Sequence, residues 1–298
     1  MNREKISKAV SSGRILVSDG AWGTFLQKKG LVPGECPELW CINRPEDVRD
    51  IAQSYIKAGA DMIETNSFGG TAFKLLHYGL DNRVREINQA SAEISRQAAG
   101  DSKWVIASIG PTGKMLVMGD VTEEELYKAF KDQAVALEKG GADAVCIETM
   151  SDLDEARLAI KAVKENTDLE IITTFTFDQI TEGEFRTMMG VSPRDAALAA
   201  LDAGADIIGA NCGNGFERMI EIVKQIKSVA KDAFILVHAN AGLPKNIDGK
   251  DIFPETPDQM AALVPAIVKA GANIIGGCCG TTPEHIRAIK MAVERIKN

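Results

Sequence analysis

Short apolar runs and amphipathic segments alternate along the whole chain, and one four-residue phrase punctuates them four times. It reads Ala58-Gly59-Ala60-Asp61, Gly140-Gly141-Ala142-Asp143, Ala203-Gly204-Ala205-Asp206 and Ala270-Gly271-Ala272-Asn273. A helix-like segment precedes each copy, and an apolar run rich in Val, Ile and Met follows it. Glycine after a helix is a C-terminal stop. A short β-branched run is the pattern of a strand buried on both faces. Four more candidate strands lie between these, at 15–18, 104–109, 170–175 and 234–238. The segment 122–139 shows the helical pattern well. Thr122 suits an N-cap with Glu125 three residues on, and Leu126, Phe130, Ala134 and Leu137 share one face.

Eight strands alternating with helices predict an α/β fold, a closed (β/α)8 TIM barrel, with an open doubly wound sheet as the competing arrangement. No linker or low-complexity tract divides the chain, so residues 1–298 read as one barrel domain. The stretch 31–44 holds two prolines and two cysteines and reads as a long loop after the first strand, placed to form a lid.

Composition narrows the class. The chain is 45% hydrophobic with a net charge of −8, enough to bury a large core and without the basic runs of a nucleic-acid-binding surface. Met1-Asn2-Arg3-Glu4-Lys5-Ile6 lacks the apolar stretch of a signal peptide, and no segment approaches a membrane span. Six cysteines in a domain of this size are expected as reduced thiols, and a cytoplasmic protein is expected.

Barrel chemistry sits at the C-terminal ends of the strands. Reading those ends collects Asp19, Glu64, Gly110-Pro111-Thr112, Glu148, Asn211-Cys212, Asn240 and Cys278-Cys279 on one rim. Cys212 closes the sixth strand and Cys278-Cys279 the eighth, two apart around the ring, so their side chains can converge. A lone strand-end cysteine is usually a small buried hydrophobe, and Cys146, inside the fourth strand, reads that way. Three at two strand ends, two of them adjacent, point instead to a metal. Four local ligands would make a structural zinc site; three leave a position open for chemistry. Thr282 and Pro283 suit the start of a helix just beyond the cysteines, with His285 in its first turn as a surface or capping residue. His238 reads as a core or supporting histidine rather than a ligand. Asp19 and Glu148 face the same mouth and suit an ammonium group, with Glu64 a weaker candidate for that work.

These residues resemble the homocysteine S-methyltransferase family, the zinc thiol-methyltransferase barrels. The strongest parts are Gly276-Gly277-Cys278-Cys279-Gly280-Thr281-Thr282-Pro283-Glu284-His285, Asn211-Cys212, Asp19-Gly20-Ala21-Trp22-Gly23-Thr24, Thr65-Asn66-Ser67-Phe68-Gly69, Gly110-Pro111-Thr112-Gly113 and Asn240-Ala241-Gly242. The match spans nearly the whole chain and looks most like the homocysteine-binding module of cobalamin-dependent methionine synthases. The resemblance implies Zn2+ held by Cys212, Cys278 and Cys279. It also implies an amino-acid thiol whose ammonium meets Asp19 and Glu148 and whose carboxylate meets main-chain N–H groups of Gly110-Pro111-Thr112. The chain departs from several relatives at His238 and Ala239.

The implied reaction moves a methyl group to the thiol of homocysteine, giving methionine. No Asp-x-His-x-x-Gly corrinoid signature is present, so methylcobalamin on a separate corrinoid protein is the expected donor, with S-methylmethionine or betaine-type donors as alternatives. A corrinoid-linked demethylase component is the rival enzyme, and a metal-stabilised assembly subunit the rival outside enzymes.

Overall fold

In the computed structural model, which describes residues 4–247 and 250–296, the eight expected strands form one parallel sheet that curls into a ring. They are β1 (Leu16–Val17), β2 (Met62–Glu64), β3 (Trp104–Ile109), β4 (Ala144–Met150), β5 (Glu170–Phe175), β6 (Ile207–Asn211), β7 (Phe234–Ala239) and β8 (Ile274–Gly277). Each pairs in parallel with its neighbours in chain order from β2 to β8, and β8 pairs back to β1. An open doubly wound sheet would reverse strand order midway, and this ring does not. Residues 1–3, where the N-terminal reading began, lie outside the described residues.

The helices that follow the strands are α1 (Pro45–Ala58), α2 (Val84–Ala99), α3 (Glu123–Lys139), α4 (Leu153–Asn166), α5 (Pro193–Ala203), α6 (Phe216–Val229), α7 (Pro257–Ala270) and α8 (Pro283–Ile296). Helix α3 begins as the sequence predicts, with a Thr122–Glu125 capping box, and Leu126, Phe130, Ala134 and Leu137 are all buried. Such a cap contributes about 1 kcal/mol.

The repeated phrase has a structural job. Its glycine ends a helix in the left-handed conformation at Gly59, Gly141, Gly204 and Gly271. Its acidic or amide residue then stitches an even strand to the odd strand before it. Asp61, Asp206 and Asn273 accept the N–H of Val17, Ile171 and Ile235 at 2.9, 2.8 and 2.9 Å, and Asp143 that of Val105 at 2.8 Å. The main-chain N–H of each phrase residue returns a bond to the same partner's carbonyl. At β1 and β2, where no strand ladder forms, this stitch closes the ring. Asp19 adds a second one at the other end by accepting the Glu64 N–H at 2.9 Å.

Inside the ring, Leu16, Met62, Ile106, Cys146, Ile172, Ile207, Leu236 and Ile274 pack into one core. A short helix, Ile6–Ser11, plugs its N-terminal end with Ile6, Ala9 and Val10. The buried Glu170 carboxylate caps that helix through the Ile6 and Ser7 N–H groups, at 2.6 and 2.9 Å. Cys146 is the small core residue the sequence suggests. Two antiparallel hairpins, Asp178–Thr181 with Glu184–Arg186 and Lys245–Ile247 with Lys250–Ile252, decorate the loops after β5 and β7. Their short, mostly polar strands carry no apolar alternation to announce them. Among the described residues no helix is long and apolar enough to cross a membrane.

Candidate active site

The mouth of the barrel holds a cavity of about 260 Å³. Cys212, Cys278 and Cys279 line one side of it; Glu64, Ser108, Glu148 and His238 line another; Trp22, Leu26, Pro37 and Phe68 supply apolar surface. Among the described residues no lysine or arginine lines it.

The three cysteines hang from the end of β7. Cys212 N–H donates to His238 O (2.9 Å), Cys278 N–H to Ala239 O (2.7 Å), and Ala241 N–H to Cys279 O (3.0 Å). One strand end therefore serves as the spine for sulfurs arriving from β6 and β8. The turn through Cys278 is locked by Thr281, whose hydroxyl donates to Cys278 O (2.8 Å) and accepts the Ala21 N–H (3.0 Å). Gly277 must be glycine for this reason: a Cβ there would collide with the Thr281 side chain.

The Sγ atoms of Cys212 and Cys279 are 3.9 Å apart, and all three sulfurs lie within 4.8 Å of one another. A zinc ion with Zn–S bonds of about 2.3 Å and tetrahedral angles needs sulfurs about 3.8 Å apart. The Cys212–Cys279 spacing matches such an ion, and all three cysteines line the cavity. As thiols, the three share protons. Hydrogen bonds from Cys278 and then Cys279 push Cys212 down to about 3, while the hydrogen bonds they give to Cys212 hold the protons on the other two, pushing Cys278 well up and Cys279 up to about 12. An arrangement that concentrates thiolate on one sulfur is poised to exchange protons for a metal.

Asp19 lies fully buried behind the cavity wall. Its Oδ2 accepts Trp22 Nε1–H and the Glu64 N–H, each at 2.9 Å, and its Oδ1 the Ser18 hydroxyl at 3.3 Å. Glu148 accepts the Ser108 hydroxyl on Oε1 and the Asn211 amide on Oε2 (3.3 Å). Burial raises both carboxyls to about 7. Burial, then the charges of Glu148 and Asp19, lifts Glu64 well above the usual range. Its Oε1 has no hydrogen-bond partner, and His238 Nδ1 stands 3.5 Å away. Burial lowers that histidine to about 4, so it stays neutral near pH 7. Glu64 and Glu148 on the cavity wall and Asp19 behind it, with no lysine or arginine among the described lining residues, suit a positively charged ligand group.

The loop Gly110-Pro111-Thr112 is not brought to the cavity. Gly110 N–H donates to Phe68 O at 2.9 Å, the Thr112 N–H and hydroxyl go to Glu155 Oε1 at 2.8 and 2.5 Å, and proline has no N–H. The main-chain donors expected there for a carboxylate are already bonded within the protein.

His285 is a capping residue, as the sequence suggests, but it is buried rather than on the surface. Nδ1 accepts the Thr282 N–H (3.1 Å), so Nε2 carries the proton and donates to Glu255 O (3.0 Å). The 31–44 loop does cover the mouth. Glu38 accepts the Gly69 N–H (2.7 Å) and Asn66 Nδ2 donates to Pro37 O (2.8 Å). Asn211, collected with the strand ends, gains a role in holding Glu148, and Ser108, absent from that inventory, gains one too. The sequence signal for Ser108 is one hydroxyl inside an apolar strand.

The family model for homocysteine S-methyltransferase matches residues 16–293. This chain belongs to the homocysteine S-methyltransferase family. Methionine synthases from Mycobacterium tuberculosis and Mycobacterium leprae are each 33% identical to it, over 97% and 95% of this chain. The chain spans about a quarter of their length: 25% and 24%. Among solved structures, the metallated form of the Escherichia coli homocysteine methyltransferase MmuM superposes with a TM-score of 0.77. It covers 95% of this chain and 98% of its own, at 24% identity. That likeness supports the barrel fold.

Proposed function

We propose that this family member transfers a methyl group to the sulfur of homocysteine, giving methionine. The observation that carries the reading is three cysteine sulfurs within 4.8 Å of one another, opening on a cavity walled by carboxyls, with no lysine or arginine among its described lining residues. Cys212, Cys278 and Cys279 would hold zinc. Zinc, when bound, draws the proton from an incoming thiol and keeps it as thiolate at neutral pH, where a free thiol with a pKa of about 8.5 is only a few per cent ionised.

The chain's own residues do the rest. Glu148 and Asp19 favour the ammonium end of the amino acid, directly from the wall and through the field from behind it. Ser108 and Trp22 hold those carboxyls in place. Pro37 and Glu38 of the covering loop limit water at the mouth. Positioning of this kind can contribute about 7–11 kcal/mol to a two-reactant step.

The donor in this reading is a methylated corrinoid protein. Support comes from the loop tips around the mouth. Val117, Met118, Ile180 and Met188 follow β3 and β5 and are 74, 73, 61 and 81% exposed. Exposed apolar side chains on loops that leave the C-terminal ends of the barrel strands suit a protein-borne donor better than a small ion. The test is methionine formation by the zinc-loaded protein from homocysteine with methylcobalamin, S-methylmethionine or betaine in separate reactions. Turnover with methylcobalamin is expected. No methionine from any donor would overturn the proposal.

A further inference from the structure

We infer that Asn211 is a positioning residue. It aims Glu148 into the cavity and fixes its reach from the cysteine sulfurs, so that the site selects a thiol bearing an amino group. This inference rests on the function proposed above.

Asn211 ends β6 and is fully buried. Its amide makes four hydrogen bonds. Oδ1 accepts the Thr149 N–H (2.8 Å) and the Thr174 hydroxyl (2.7 Å); Nδ2 donates to Thr149 Oγ1 (2.7 Å) and Glu148 Oε2 (3.3 Å). The Thr149 N–H can only donate, which settles which end of the amide is oxygen.

The neighbourhood explains why such a group is needed. Strand β4 slips its register against β5 between Ile147 and Met150. Bulges of this kind re-aim a side chain at a strand end, and here the bulged residues are Glu148 and Thr149. Thr149 has φ +60°, an outlying conformation for a β-branched residue that persists only where its surroundings hold it. Asn211 holds it by bonding both its N–H and its hydroxyl. On the other side, Asn211 is joined by its own peptide bond to Cys212, at φ +57°. Among the described residues Thr149 and Cys212 are the two non-glycine positions with positive φ. Asn211 ties one to the other, and with them the carboxylate to the sulfurs.

The test compares two thiols on the zinc-loaded full chain: homocysteine and γ-mercaptobutyrate, which lacks only the amino group. Affinities come from calorimetry, and metal content from elemental analysis. Asn211→Asp keeps the acceptor for Thr149 but sets a second carboxylate against Glu148. It is expected to weaken homocysteine about 10- to 100-fold, the range for a hydrogen bond to a charged group. γ-Mercaptobutyrate should change by less than about 3-fold, with metal content unchanged. Thr174→Val removes only one brace on Oδ1 and should give the same pattern at about 3- to 10-fold. Equal losses for the two thiols in either variant, or no loss for homocysteine, would overturn the assignment. A parent protein that fails to bind homocysteine at all overturns this inference together with the proposed function, and that result is seen before any variant is made.

Discussion

Asp206 Oδ2 accepts the main-chain N–H of Ile171 at 2.8 Å, and the Asp206 N–H returns a bond to Ile171 O, also at 2.8 Å. The pair fastens β6 to β5 below the core, and the same stitch recurs at Asp61, Asp143 and Asn273. That one copy is asparagine shows that the bond needs an acceptor and not a charge.

Asp206→Ala should therefore cost about 1–3 kcal/mol by leaving a strand N–H without its acceptor, while Asp206→Asn should cost well under ~1 kcal/mol. Asp61→Asn should cost more than Asp206→Asn, because Asp61 also binds Lys290 at 2.9 Å on both oxygens. Urea denaturation of the three variants checks the ranking. Equal costs for Asp206→Ala and Asp206→Asn would show that the stitch is electrostatic after all.

Replacing any one of Cys212, Cys278 or Cys279 by Ser should empty the site of zinc and lower methyl transfer by at least about 100-fold, since even groups that only support metal ligands contribute 10–100-fold. The barrel should remain folded, because its core lies below the site and includes none of the three. Circular dichroism melts beside metal analysis separate these outcomes. Loss of fold on metal removal would instead mark the ion as a structural one.

Much of this architecture was legible because it is written in repeated local signals. The glycine-and-acid phrase marks the start of β2, β4, β6 and β8, and β-branched runs mark the odd strands. The convergence of Cys212 with Cys278 and Cys279 follows from strand ends two apart in a ring. Three features were not legible. The hairpin at 178–186 has short polar strands without alternation. The bonding of the loop at 110–112 depends on Phe68 and Glu155, which are distant in sequence. The bulge at Glu148–Thr149 is braced by Asn211, 62 residues from Thr149, through a contact no local pattern encodes.

Ligand binding should release protons in a pH-dependent way. Asp19 and Glu148, both raised by burial to about 7, hold protons in the empty folded protein that ordinary carboxyls lose near pH 4. An ammonium group favours their ionised forms and so expels those protons. Calorimetry in buffers of different ionisation enthalpy should find about one more proton released on homocysteine binding at pH 6 than at pH 8. γ-Mercaptobutyrate should not show that excess. An identical count at both pH values would exclude these carboxyls as the ammonium site.

Glu64→Gln should stabilise the empty protein at neutral and higher pH. Glu64 Oε1 is buried without a hydrogen-bond partner, and its ionised form is opposed first by burial and then by Glu148 and Asp19. A group whose folded pKa is raised binds more protons folded than unfolded, so its contribution to stability falls as pH climbs above the unfolded value. Glutamine has the same shape and no such slope. The variant's advantage should grow as pH climbs above about 4.3, the ordinary glutamate value, so its melting temperature should exceed the parent's by more at pH 8 than at pH 5. The same change should weaken homocysteine binding, because one of the two neighbouring carboxyls on the cavity wall, Glu64 beside Glu148, loses its charge. Stability and affinity would then move in opposite directions, as expected where a pocket holds like charges together for a ligand of the opposite sign. A variant that melts below its parent at pH 8 would mean that the Glu64 carboxylate already has a compensating partner in the folded protein.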